Sequence, residues 1–203
     1  MSDKAKVWGS LGAAVLTIIG AVFAVEKGYS NNPADPGGET NHGVTVAVAR
    51  QDGYTGPMRD LPKERAQAIY MKDYVARPGF EPIIAMSPAV GQKIVDAGVN
   101  AGTSRASRWF QTALNHMSRG GQDYPQVAED GQIGPQTLAA YRALERKRGR
   151  LKACELVLKL MDVQQGAHYT SLRKPMFVVG WVDHRIGNVP LARCADSVRE
   201  VAP

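Results

Sequence analysis

Nineteen consecutive residues, Val7 to Val25, carry no charge, and the run ends abruptly at Glu26. As a helix rising about 1.5 Å per residue it would span roughly 28 Å, just enough for a hydrocarbon core of about 30 Å. Gly9, Ser10, Gly12, Ala13, Ala14, Thr17, Gly20, Ala21 and Ala24 occupy nine of those places. Each turn therefore offers little apolar area, and residence in lipid is only marginally favourable. Such a segment can be a cleaved secretory signal, a permanent anchor, or a buried helix of a folded domain. Val22-Phe23-Ala24 would pass as a cleavage site, but cutting there would strip support from the loop that follows. The uncleaved readings are favoured.

The chain's 203 residues suffice for one ordinary domain or two small ones. A hydrophobic content of 44% and a charged content of 22% are near the globular average, so neither disorder nor a polytopic membrane protein is indicated. Residues 27 to 60 carry the densest turn chemistry, including Pro33, Pro36, Gly37, Gly38, Gly43, Gly53, Gly56 and Pro57. They read as a loop with a small hairpin, with Val44 to Val48 as either a strand or a helix start. Pro62 suits a helix entrance, and Ala66, Ile69, Tyr70 and Tyr74 follow at helical spacing until Pro78. Further helices are predicted near 88–100, 104–118, 135–149 and 151–170. No fixed period repeats, which excludes a solenoid.

Neither a glycine-rich phosphate loop nor histidines paired at helical spacing occurs; His42, His116, His168 and His184 are scattered. No cofactor and no metal is expected. What remains is Glu26 followed by Asp35, Glu39 and Thr40 in or beside a loop too polar to be kept for packing. Two acids beside one cleft suit glycosidic bond cleavage: one protonates the leaving oxygen, the other stays ionised to position water or stabilise positive charge on the sugar. Glu26 would stand at the negative end of a helix dipole, and burial beside Phe23 or Tyr29 would favour its protonated form as well.

The stretch EKGYSNNPADPGGETNHGVT from Glu26 to Thr45 resembles the signature of phage endolysins of the glycoside hydrolase family 108 type, which reads Glu-Gly-Gly-Tyr, then Asn, Asp-Pro and Gly-Gly-Glu-Thr. Lys27 stands where the family usually has Gly. DAGVNAGTSRASRWFQTAL from Asp96, DGQIGPQTL from Asp130 and GWVDHRI from Gly180 are similar to the family's helical peptidoglycan-binding region. The resemblance implies a mainly α, lysozyme-like fold with a small loop and hairpin region and a helical C-terminal lobe. It also implies N-acetylmuramidase activity on the β-1,4 bond between N-acetylmuramic acid and N-acetylglucosamine. Glu26 carries over as the catalytic acid, with Asp35 and Thr40 as further catalytic residues. The spacing from Asp35 to Thr40 is one residue shorter than in related phage lysozymes, so Glu39 is a rival for the second group. Asn100, Gln111 and Asp130 are candidate glycan contacts.

Within this resemblance the apolar run reads as a signal-arrest-release helix. Lys4 and Lys6 would stay on the cytoplasmic side and the enzyme outside, at the host inner membrane, until release to the periplasm. The expected organisation is residues 1–25 as that helix, 26–95 as the catalytic region and 96–203 as the peptidoglycan-binding region, in a monomer. A lytic transglycosylase and a non-catalytic, membrane-anchored wall-binding module are the alternatives. The excess of 25 basic over 19 acidic residues favours an anionic partner; with this resemblance peptidoglycan is expected and nucleic acid is not. The run Arg142, Arg146, Lys147, Arg148, Arg150, Lys152 reads mainly as a solvated face, and Trp109, Phe110, Leu114 and Met117 as core. Cys154 and Cys194 have no metal-ligand spacing and are read as buried thiols in preference to one disulfide.

Overall fold

The computed structural model describes Ile18, Gly20, residues 28–31 and residues 38–200, except for the side chains of 197–200. Glu26, Asp35 and most of the apolar run lie outside the described residues. Ile18 and Gly20 have helical backbone, and Ile18 is only 3% exposed. Chain contacts divide the molecule into two compact units, Met1–Ala76 and Arg77–Pro203.

The first unit is organised by a hairpin of two strands, β1 (Thr40–Asn41) and β2 (Val44–Thr45), paired antiparallel with Thr40 opposite Thr45. His42 and Gly43 connect them with φ of 51° and 73°. Two successive positive φ values match the twist of a hairpin, and they explain a glycine at the second place. The chain then enters α1 (Val46–Gln51), whose N-cap is Thr45, accepting from the Val48 N–H at 3.4 Å. The apolar alternation at Val44–Val48 is thus strand and helix start in succession. A short 3-10 turn, Met58–Asp60, precedes α2 (Lys63–Tyr70), which continues as a π-helical stretch over Met71–Ala76 and stops before Pro78. Asn41 is buried and donates to the carbonyls of Met58 (2.8 Å) and Arg59 (3.1 Å), tying the hairpin to that turn. Lys72 at 2.6 Å and Arg65 at 3.3 Å clamp Asp52 just past α1; the Lys72 hydrogen bond is the main cause holding the Asp52 carboxyl below its usual range.

The second unit is helical throughout: α3 (Glu81–Met86), α4 (Pro88–Ala101), α5 (Thr103–Met117), α6 (Pro135–Arg148), α7 (Arg150–Ser171), α8 (Pro175–Arg185) and α9 (Ala192–Glu200). Four of these begin as proline starts predict, since a missing N–H costs nothing in a first turn. The α4 and α5 pair forms the centre, with α7 against both. Trp109, Phe110, Leu114 and Met117 point inward from α5 as their spacing implies, joined by Ile94, Val95, Tyr141, Leu144, Val157 and Met161. Phe110 and Tyr141 rings meet at 5.6 Å.

Two features of this unit depart from a plain apolar core. Lys93 on α4 is 1% exposed, forms an ion pair with Asp162 on α7, and donates to the Arg185 carbonyl at 3.0 Å. Arg185 in turn holds Asp96 at 2.8 Å. Two cations and two anions therefore neutralise one another where an unpaired charge would be costly. Cys154 on α7 and Cys194 on α9 form a disulfide with Cα atoms 5.7 Å apart. The thiol reading is corrected: the partners are 40 residues apart and only the packing of α9 onto α7 brings them together.

Candidate functional site

The loop rich in acids is built around a three-residue contact. The Tyr29 hydroxyl donates to Glu39 Oε1 at 2.7 Å, and the Arg59 guanidinium lies over the Tyr29 ring, 4.9 Å from its centre. Ser30 and Thr40 exchange both backbone bonds, at 2.8 and 2.9 Å, so the Tyr29 segment is laid alongside β1. Glu39 also accepts the Val46 N–H on its backbone carbonyl at 2.8 Å, which fixes the residue against the start of α1. Thr40 donates its hydroxyl to the Gly38 carbonyl at 3.2 Å, leaving the oxygen lone pairs available. Half-buried Glu39, Thr40 and Tyr29 thus share one ledge. Glu26 and Asp35 lie outside the described residues, on either side of Tyr29 in sequence.

Tyr29 and Arg59 were not among the residues picked from sequence. Tyr29 sat inside the quoted motif as a possible burying neighbour of Glu26. Arg59 is thirty positions downstream and carried no local signal; only the Asn41 bonds to the 58–60 turn bring it to the ledge.

In the second unit, Gln111 and Asp130 are brought together and Asn100 is not part of their contact. Gln111 is buried; its amide nitrogen donates to Asp130 Oδ1 at 2.8 Å and to the Gln132 carbonyl at 2.9 Å, while its oxygen accepts the Gly131 N–H at 2.9 Å. All its polar capacity holds the Asp130–Gly134 loop onto α5. The hydrogen bond from Gln111 is the first cause lowering the Asp130 carboxyl, followed by that from the Gln132 backbone. Gly131 closes the turn at φ 80°, and a Cβ there would meet both the hydroxyl and the carbonyl of Ser104. Asn100 donates to the Asp96 carbonyl one turn back on α4 at 2.9 Å and is exposed. Among the described residues no group of three or more His, Cys, Asp or Glu is placed to hold a metal ion, and no helix is long and apolar enough to cross a membrane.

Residues 19–102 match the family model described as glycosyl hydrolase 108, and residues 105–186 match one described as a predicted peptidoglycan domain. The boundary between those matches falls after α4, whereas chain contacts place α4 with the second unit. The fold is similar to the solved structure of SagA from Brucella abortus, at 25% identity and a TM-score of 0.66, over 93% of this chain and 97% of that one. No curated protein sequence matches the chain. With a mainly α, lysozyme-like architecture, one segment similar to glycosyl hydrolase 108 and one similar to a peptidoglycan domain, the chain is a glycoside hydrolase acting on peptidoglycan.

Proposed function

We propose that the chain is a phage endolysin of the N-acetylmuramidase type, with Glu26 as general acid on the β-1,4 bond between N-acetylmuramic acid and N-acetylglucosamine. The reading is carried by one observation: the segment matched as glycosyl hydrolase 108 contains Glu26, Asp35 and the whole ledge from Gly38 to Thr45. On that ledge the Glu39 carboxylate is already engaged by Tyr29. This favours Asp35, with Thr40, as the group that orients water or faces the developing positive charge, and Glu39 as the residue that shapes the loop. Asp130 and Asn100, exposed on the second unit, remain the candidate glycan contacts, with Gln111 acting through Asp130.

Export fits the same reading. A disulfide persists in oxidising compartments, and Ile18, inside the apolar run, is helical and buried, as a segment folded onto a released domain would be. The run would hold the enzyme at the host inner membrane and then release it, uncleaved, to the periplasm.

The deciding experiment digests purified sacculi with wild type, Glu26→Gln, Asp35→Asn and Glu39→Gln and identifies the products by mass spectrometry. Glu26→Gln should cut turnover by about 10²- to 10⁴-fold at unchanged circular dichroism, and wild-type products should end in reducing N-acetylmuramic acid. Ends of the 1,6-anhydro form would instead indicate a lytic transglycosylase, and reducing N-acetylglucosamine ends a different bond. Glu39→Gln more damaging than Asp35→Asn would reverse the assignment of the second group.

A further inference from the structure

The second unit carries a groove of about 620 Å³ between α3 and α6, with a shelf of Pro82, Ala85 and Met86 and a rim of Arg142, Arg146 and Arg150. A second hollow of about 340 Å³ continues it toward the start of α6 over Leu138 and Ala139, and Arg142 and Arg146 line both. The two arginines are four residues apart and so stand side by side on one helix face. None of the three guanidiniums forms an ion pair among the described residues. Arg148, by contrast, faces away and joins Arg119 and Lys147 around Asp123. The cationic run is therefore split: one part closes an internal ion cluster, and the other lines a hollow. Half-buried Glu145 sits among the three rim arginines; burial raises its carboxyl, opposed first by Arg150 and then by Arg142 and Arg146.

We propose that this groove binds a carboxylate-bearing peptide, the chemistry of the stem peptides that cross-link peptidoglycan. The inference rests on the peptidoglycan hydrolase reading and names what its second domain recognises. Guanidinium forks match carboxylates in a bidentate way, and the apolar shelf suits alanine methyls and methylene chains. Three cations against one carboxylate fit a ligand with more acids than amines, the Glu145 carboxylate receiving an ammonium. A glycan strand stripped of peptide offers the rim one isolated lactyl carboxylate per disaccharide and no short apolar side chains for the shelf, so it fits the groove less well than the peptide does. Phosphodiester headgroups share the anionic chemistry but lack the alternating short apolar side chains.

The test uses the full chain. Fluorescence anisotropy measures binding of a fluorescein-labelled L-Ala-D-Glu-meso-diaminopimelate-D-Ala peptide to wild type, to Arg142→Gln/Arg146→Gln, and to Lys159→Gln/Arg173→Gln, an equal charge change elsewhere on the unit. All four positions are exposed, so folding should be preserved. Vesicles with and without phosphatidylglycerol, and glycan strands stripped of peptide, are measured in parallel. The expected result is at least a tenfold loss for Arg142→Gln/Arg146→Gln only, with stripped glycan binding unchanged. Equal loss in both double variants, no loss in either, or arginine-dependent binding to anionic vesicles but not to peptide would overturn the proposal. Arginine-dependent peptide binding by a chain that releases no fragments from sacculi would uphold the groove and sink the hydrolytic reading.

Discussion

Removing the Cys154–Cys194 bridge should be among the most costly changes to the second unit. The bond closes a loop of 40 residues holding most of α7, all of α8 and the start of α9. A loop of that length loses about 13 cal/mol/K of unfolded-state entropy on cross-linking, which is about 4 kcal/mol at 25 °C. Beyond the well-packed α7, the α8 and α9 part of the loop has little else to hold it. Nine-residue α9 is too short to persist alone in water, and α8 exposes Met176 to 89% and Phe177 to 58%, so it buries little apolar area. Trp181, stacked on Phe177 of the same helix, meets the Tyr169 ring of α7 at 5.3 Å and so links α8 to α7. Urea unfolding of Cys154→Ala/Cys194→Ala, followed by circular dichroism and tryptophan fluorescence, should show a loss of about 3 to 5 kcal/mol. The melting temperature should fall by roughly 6 to 20 °C, taking about 2 to 4 °C per kcal/mol for a chain of this size. Wild type in dithiothreitol should behave like the double variant. A loss below about 1 kcal/mol, or two titratable thiols in the native oxidised protein, would refute the reasoning and restore the pair of buried thiols.

Gly131→Ala must take a positive φ and push its Cβ against Ser104, so it should cost about 2 to 4 kcal/mol in urea unfolding; a change within about 0.5 kcal/mol would show that the loop yields. Burial pushes the Tyr124 hydroxyl, which donates to the Leu114 carbonyl at 2.7 Å, up to about 12. Because the folded pKa is raised, that contribution is whole below about pH 10 and is lost as pH rises through about 12, at most about 2 kcal/mol. Tyr124→Phe should therefore be less stable than wild type at pH 8, by about 1 kcal/mol, and converge with it at pH 11.5; parallel curves would refute the account. Gly12→Leu, Ala13→Leu and Gly20→Leu together should hold the chain in the inner-membrane fraction after depolarisation, each Gly→Leu adding roughly 3 kcal/mol of apolar transfer. Wild type recovered only without its first 24 residues would end the release reading.

The helical lobe was legible because its signals are local. Pro88, Pro135 and the apolar spacing from Ala106 to Met117 announce helices that run as predicted, apart from a residue or two at their ends. The hairpin was legible through its turn residues, although its strands proved only two residues long. Helices α3, α8 and α9 were missed because α3 and α9 are only six and nine residues long, and α8 is apolar over residues 175–182 with no polar face there to reveal a period. The Tyr29–Arg59 contact of the candidate site, like the Lys93–Asp162 and Cys154–Cys194 pairs of the second unit, is long-range, and no window of sequence contains both members.

Gln111 shows where motif reading overreaches in physical terms. A buried amide beside an acidic turn has the same residue types whether it meets a sugar or closes a loop, and the resemblance quotes both residues either way. What separates the two roles is hydrogen-bond capacity. Both amide hydrogens and the amide oxygen of Gln111 are spent on residues 130–132, so a sugar reaching it would first have to break a satisfied buried network. Asp130 keeps its second carboxylate oxygen at an exposed turn, and Arg142 and Arg146 keep whole guanidiniums over a hollow. Unspent polar groups held in place by spent ones are where a wall polymer can be recognised at little reorganisation cost, and on this unit they lie beside the motif residues more than on them.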